Sequence, residues 1–376
     1  MIKGMEHLTI AINGSLLHPQ PTGLSRYGVE LSSCLLRLLP KAKIYTQLKE
    51  IEDLFPDQVV SSGPRFQHPA NFTSNLKRLL WLQTRMRLNI HLQKLKLNFA
   101  PIAEGMINSP VPQIVTIHDL LPLYDPDFMP RWKIYYRKIL PKILKNHCRK
   151  IICVSEFTKF ELLKYYPEVN ANQIKVIYPG FNPLRFRINK GLSSLEKFGF
   201  SDYFLMVGEG RPYKNLELVP KALSIHRGNS VLAICGRIPA DEMKRIQNVA
   251  NEAGVGERLR WLGYVSDQDL GLLYENSKAF IFPSRYEGFG LPLLEAMSFG
   301  TPVLCSKVAS LPEVGGRVPI YFDPSDPMDL SQKMELLNQS QTLIEKMRTA
   351  GYQRVKNFTW EESAQKHVEL FKSVLN

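Results

Sequence analysis

Two glutamates eight positions apart, Glu287 and Glu295, sit in the string Phe282-Pro283-Ser284-Arg285-Tyr286-Glu287-Gly288-Phe289-Gly290-Leu291-Pro292-Leu293-Leu294-Glu295-Ala296-Met297. An apolar strand ends near Phe282 and a glycine-containing loop follows. Pro292 then marks the first turn of a helix, where its missing N–H costs nothing. Gly300 suits the position just past that helix, and Pro302 stops any continuation. Backbone N–H groups of Gly290 and Leu291 therefore point outward at a helix N-terminus, a seat for a phosphate or for sugar hydroxyls. With Glu287 in the loop and Glu295 about one turn inside the helix, each carboxylate can accept hydrogen bonds from a different part of one long ligand. A lone Glu295 would read equally well as an acid favoured by the helix dipole. The loop and helix together favour the ligand.

A second loop, Val207-Gly208-Glu209-Gly210-Arg211-Pro212-Tyr213-Lys214-Asn215-Leu216, also follows a strand and opens a helix. It is no dinucleotide fingerprint, because the third glycine would fall on Tyr213, and no P-loop, which needs Gly-Lys-Ser/Thr. Arg211 and Lys214, three apart at a strand–helix turn, can instead neutralise a diphosphate. Fixed cations there would lower the barrier for breaking a sugar–phosphate bond, since negative charge develops on the departing group. His118 follows the apolar run Ile114–Ile117, at the C-terminal end of a strand where an open α/β sheet holds its ligands. Gly23 belongs to a loop after the first strand, where an absent side chain lets backbone approach a ligand. Arg26 assists there or simply decorates a helix surface.

The elements that must position these groups are short apolar runs alternating with helical patterns, the mark of parallel α/β sheets. The runs are Leu8–Ile12, Ile114–Ile117, Ile151–Val154 and Ile174–Tyr178, then Tyr203–Val207, Val231–Cys235, Leu259–Leu262, Ala279–Phe282, Thr301–Cys305 and Ile320–Phe322. The turn formers Tyr178-Pro179-Gly180-Phe181-Asn182-Pro183 separate the two series and suit a hinge. Trp360, Ala364, His367, Val368, Phe371 and Leu375 recur at helical spacing. At 376 residues the chain suits two cores rather than one. We expect two Rossmann-like, doubly wound domains, 1–180 and 181–358, facing each other across a cleft. A helix at 359–376 returns to the first.

The glutamate string resembles the E-x7-E signature of the GT4-type retaining glycosyltransferases of the GT-B fold, with Glu-Gly-Phe-Gly-Leu-Pro intact. The resemblance runs nearly end to end. Thr22-Gly23-Leu24-Ser25-Arg26-Tyr27 is similar to the family's glycine loop and Thr116-Ile117-His118-Asp119-Leu120 to its H-D-L segment. Val154-Ser155-Glu156-Phe157-Thr158-Lys159, Gly208 through Asn215, and Phe358-Thr359-Trp360-Glu361 also match. The resemblance implies transfer of a sugar from a nucleoside diphosphate sugar, GDP-mannose-like with UDP-glucose and related donors left open, to a glycan or lipid-linked acceptor, with no metal required. It places Glu287 on the donor sugar, Glu295 on the ribose and Lys214 on the diphosphate. Many relatives carry the arginine elsewhere, including directly before the lysine, where Tyr213 stands, so Arg211 departs from the pattern. His118 is implied near the reacting centre and Asp119 as structural. Gly23, Phe289, Gly290, Leu291 and Val265 are implied against the donor, the last near the base, and Arg26 on the acceptor side. Tyr264 reads as base contact or as core packing.

Asp267-Gln268-Asp269 and Asp125-Pro126-Asp127 look like metal-holding D-x-D runs. Ser266 is a good N-cap, however, making Asp267 and Asp269 first-turn helix acids, and Asp125 flanks a proline turn. No metal site is expected. Charge is lopsided: residues 1–180 hold 24 basic and 13 acidic side chains, residues 181–376 hold 24 and 22. From Arg131 to Lys150 eight basic residues and no acid interleave with Trp132, Ile134, Tyr135, Tyr136, Ile139 and Leu140. That stretch reads either as a solvated helix face or as a surface for anionic lipid, each cation contributing roughly 1 kcal/mol. No run reaches the ~18 apolar residues of a membrane helix, the N-terminus lacks a secretory signal, and five cysteines form no CxxC pair. A cytoplasmic protein, peripheral on an anionic membrane, is expected. A sugar-nucleotide epimerase or glycan phosphorylase of the same fold is the alternative. A basic nucleic-acid binder lacks any recognised module.

Overall fold

The structure, a computed structural model, describes residues 7–17, 23–61, 72–125, 130–186 and 195–376. Thr22, Pro126 and Asp127 lie outside the described residues. Two compact units are formed, one of Met1–Gly180 with Phe358–Asn376 and one of Phe181–Asn357.

The first unit carries a parallel sheet of β1 (Ile10–Asn13), β2 (Lys43–Thr46), β3 (Val59–Ser61), β4 (Leu97–Ala100), β5 (Gln113–Ile117), β6 (Lys150–Cys153) and β7 (Ile174–Val176). Their spatial order is β3-β2-β1-β4-β5-β6-β7. The second unit carries β8 (Tyr203–Val207), β9 (Val231–Cys235), β10 (Leu259–Gly263), β11 (Ala279–Phe282), β12 (Val303–Ser306) and β13 (Ile320–Phe322), ordered β10-β9-β8-β11-β12-β13. All ladders are parallel, with Ile12 opposite Phe99 in the first sheet and Phe280 opposite Leu205 in the second. Every residue of β1, β4, β5 and β11 is buried, as strands covered on both faces require. Both sheets are doubly wound, as expected. Each reverses direction once, between β1 and β4 and between β8 and β11, and such a reversal opens a crevice at the strands' carboxyl ends.

Three strands lie outside the runs read from the sequence: β2, β3 and β4. The first two are short and lie toward the sheet edge. The residues before β4, Leu92 to Lys96, continue a helical pattern that hides where the strand begins.

The helix Trp360–Leu375 completes the first unit. Thr359 caps it by accepting the Glu362 N–H, as an N-cap threonine does. Phe371 lies 5.1 Å and His367 5.5 Å, ring to ring, from Phe99 of β4. Gly180 passes this helix's start so closely that a Cβ would stand 2.3 Å from the Trp360 nitrogen. Also inside this unit, Arg78 and Glu104 form a two-pronged ion pair, the Arg78 Nη2–Glu104 Oε1 arm measuring 2.6 Å. Their exposures are 1% and 3%.

Candidate active site

The carboxyl ends of β8 and β11, neighbours at the second sheet's reversal, carry the two loops singled out above. Asn215 takes a left-handed conformation at φ 55°, which asparagine tolerates better than most residues. It donates its side-chain amide to Pro283 O at 3.1 Å and Pro324 O at 2.9 Å. The Arg285 N–H donates to Tyr213 O at 2.7 Å. These bonds clip the loops together, and the consequence is direct: Lys214 Nζ donates to Glu287 Oε1 at 2.6 Å, each side chain 12% exposed. Ser284 donates to the same oxygen at 2.7 Å. The ammonium also lies 5.2 Å from the Tyr213 ring and 5.4 Å from the Phe282 ring, a position that aromatic faces favour.

Behind Glu287, the Ser310 hydroxyl stands 2.8 Å from Glu287 O and 2.9 Å from Phe289 O, fixing the turn. Gly290 follows at φ 106°, a conformation that L side chains rarely adopt, and a Cβ there would press to 2.8 Å of Leu311 Cδ2. Glycine is required at this corner. Leu291–Ser298 is the helix that begins there, with Leu291 half-buried, and its first N–H groups have no intrahelical acceptor.

Glu295 occupies the second turn of that helix and is buried. Tyr274 donates its hydroxyl to Glu295 Oε2 at 3.1 Å. The Arg185 guanidinium lies 3.6 Å from Oε1 and 2.7 Å from Asp267 Oδ2, stacked 4.1 Å above the Phe186 ring. Burial, reinforced by the neighbouring Glu295 charge, pushes the Tyr274 hydroxyl far above the usual phenol range, so it stays a donor. A dipole-favoured acid of the first turn is thus not what Glu295 is. Arg185, Tyr274, Ser284 and Ser310 escaped the sequence reading. Ser284 alone left a local signal, three residues before Glu287. The others act across 21 to 110 residues and leave none.

Arg211 pairs with Glu209 in the same loop. It is 39% exposed and its Nε lies 3.7 Å from Glu209 Oε2. Val265 is half-buried between β10 and the next helix, and Tyr264 is exposed, with the Arg237 guanidinium 5.2 Å from its ring. Core packing therefore does not explain Tyr264. Ser266 does cap that helix by accepting the Asp269 N–H, as read from the sequence. Asp267 pairs with Arg185 and Asp269 with Lys197.

In the first unit, Gly23 opens the helix Gly23–Leu38, exposed, with nothing within 4 Å of an added Cβ. Arg26 is half-buried on the same helix. His118 stands beyond the end of β5, where its Nε2 donates to Pro101 O at 2.8 Å, tying it to the loop after β4. Thr158 donates to the His118 carbonyl at 3.1 Å, and Asp119 accepts the Leu121 N–H, a structural role. The Tyr27 ring packs edge-on against the imidazole at 4.4 Å. Tyr27 in turn gives its hydroxyl to His367 Nε2 at 3.3 Å, because His367 Nδ1 donates to Ser363 O at 2.7 Å.

Burial lowers His118 and His367 to about 4, against partial compensation from their backbone hydrogen bonds. Both are neutral at pH 7, and His118 Nδ1 is left as an acceptor. Unfolded histidines take up protons near about 6.5, so the unfolded chain binds more protons between that value and 4. Stability is expected to be level above about pH 6.5 and to fall steadily toward pH 4. Urea midpoints measured across this range check it, and His367→Gln should flatten the slope.

Comparison with known proteins agrees with this architecture. The solved structure of Anabaena HepE in complex with UDP superposes with a TM-score of 0.75 at 15% identity, covering 97% of this chain and 100% of that one. The fold is the GT-B arrangement of two Rossmann-like units. Residues 193–354 match the profile described as glycosyl transferases group 1, and residues 21–185 match glycosyltransferase family 4. The O-antigen chain mannosyltransferase B of Escherichia coli is 32% identical over 273 residues, 69% of this chain and 70% of that protein. The O-antigen chain mannosyltransferase RfbU of Salmonella typhimurium is 28% identical over 84% of this chain and 87% of its own length. The chain belongs to the group 1, family 4 glycosyltransferases and is a glycosyltransferase.

Proposed function

We propose that this enzyme transfers mannose, with retention of anomeric configuration and without a metal ion, from GDP-mannose to a glycan acceptor, free or lipid-linked. The observation that carries the reading is the Lys214–Glu287 pair at the reversal point of the second sheet. A cation and a carboxylate held together there suit the two halves of a sugar–diphosphate bond. The mannosyltransferases among the relatives support the sugar, and the UDP complex of HepE supports a nucleoside diphosphate as the kind of ligand.

In this reading Lys214 takes the diphosphate, joined by Arg211 once its side chain turns from Glu209. The N-terminal turn at Gly290 and Leu291, beside Phe289, supplies N–H donors. Glu287 orients the sugar hydroxyls and Glu295 receives the ribose, exchanging its Tyr274 or Arg185 partner. Val265 lies by the base. As the sugar–phosphate bond lengthens, charge gathers on the diphosphate oxygen under Lys214. That oxygen takes the acceptor hydroxyl's proton on the same face, so configuration is kept. Neutral His118 is the first unit's contribution, with Gly23 on the donor and Arg26 on the acceptor side.

A thermal-shift panel tests the donor. GDP-mannose and GDP are expected to raise the melting temperature more than UDP-glucose or UDP, and a ligand at a hundredfold excess over its Kd stabilises the protein by about 2.7 kcal/mol. EDTA should leave the shift and the turnover unchanged. A shift with uridine ligands alone would overturn the donor, loss with EDTA the metal independence, and an inverted product anomer by NMR the retention.

A further inference from the structure

A continuous helical stretch runs through Phe72–Trp81, Leu82–Met86 and Arg87–Leu92, its middle segment wound as a π-turn. Trp81, Leu82, Met86 and Ile90 are buried against Ala11, Tyr45, Leu95 and Met106. Four leucines do the opposite: Leu76, Leu80, Leu88 and Leu92 are 47%, 56%, 58% and 68% exposed. In an uninterrupted α-helix Leu80 and Leu88 would stand about 80° apart. The extra residue taken up by the π-turn brings them to within about 20°. One stripe of leucines results, on the side away from the core. The π-turn is what aligns it.

Along this stretch of chain the charge is of one sign only. Between Asp57 and Glu104 the chain has no acidic residue. Lys77, Arg85, Arg87 and Lys94 are exposed, whereas Arg78 turns inward and is matched by Glu104. Leucines flanked by lysine and arginine fit a lipid interface better than a protein one, where leucine is under-represented among the residues that carry the binding energy. The stretch Arg131–Lys150, by contrast, buries Tyr135, Leu140, Ile143 and Leu144 and leaves Ile134 and Ile139 as its exposed large apolar side chains among the described residues. It has cations but little to insert.

We infer that the leucine stripe is a membrane-docking face that lies in the interface of an anionic bilayer, with Lys77, Arg85, Arg87 and Lys94 on the headgroups. This stands apart from the donor reading, since no residue of the stripe belongs to the proposed site. Flotation of the full chain with phosphatidylcholine vesicles, with and without phosphatidylglycerol, tests it. Association should require phosphatidylglycerol, weaken with salt, and fall about tenfold or more in Leu80→Ser/Leu88→Ser, with the melting temperature held. Lys138→Gln/Lys142→Gln should change it less than the leucine pair. Tryptophan emission of Leu88→Trp should shift to the blue on vesicles. Undiminished flotation of the leucine variant would overturn the inference. So would a dimer that this variant turns to monomer while neither form floats, since the stripe would then cover a second copy of the chain.

Discussion

Replacing Glu287 with alanine is expected to lower kcat for sugar transfer on the order of a hundred- to a thousandfold, with a smaller change in KM. The carboxylate is held by Lys214 and Ser284 before any donor arrives, so its position is set by the protein rather than by the ligand. Its backbone is pinned by Ser310. In the reading proposed above Glu287 orients the sugar hydroxyls, and contacts that tighten as the sugar–phosphate bond lengthens place the loss in kcat. Glu287→Gln keeps the shape and an acceptor oxygen but not the charge, and should fall between. Steady-state kinetics with a melting-temperature control check the order; near-parental turnover in Glu287→Ala would remove the residue from its assigned role.

Glu104→Ala is expected to destabilise the first unit by about 3–5 kcal/mol, the range for stripping one partner from a buried ion pair. Arg78 would keep its charge at 1% exposure, with Asn75 Oδ1, 3.5 Å away, as a weak replacement partner. Removing both charges in Arg78→Met/Glu104→Leu should recover most of the loss, because uncompensated charge rather than the pair itself carries the penalty. Urea titration of the two variants checks this. Equal losses in both would show that packing, not electrostatics, dominates at this position.

The second sheet was nearly legible from sequence, and the first only in part. Strands buried on both faces read as apolar runs, and β8, β9, β11 and β13 fall on the residues expected. Lys43–Thr46 and Val59–Ser61 offer too few apolar residues to stand out, and Leu97–Ala100 is masked by the helical pattern before it. That omission mattered: without β4 the first sheet's reversal could not be placed, and neither could the Pro101 carbonyl that fixes the tautomer of His118. The site shows the same division. Lys214, Glu287 and Gly290 announce themselves by local spacing. Arg185 and Tyr274, which hold Glu295, arise from tertiary folding, for which one chain's spacing has no signature. The π-turn at Leu82–Met86 is a further case. Ordinary helical periodicity puts Leu80 and Leu88 out of line, and only the backbone shows them aligned.

The first unit is closed by a segment made only after the whole of the second unit. Until Phe358–Asn376 has left the ribosome, Phe99 lacks Phe371 and His367, and Tyr27 lacks its hydroxyl's acceptor. Domains are generally completed in order of synthesis, but here the amino-terminal sheet must wait, with an apolar flank bare, while all of Phe181–Asn357 is translated. A nascent chain stalled before Trp360 should therefore present chaperones with an unfinished first unit beside a second that already has its full sequence.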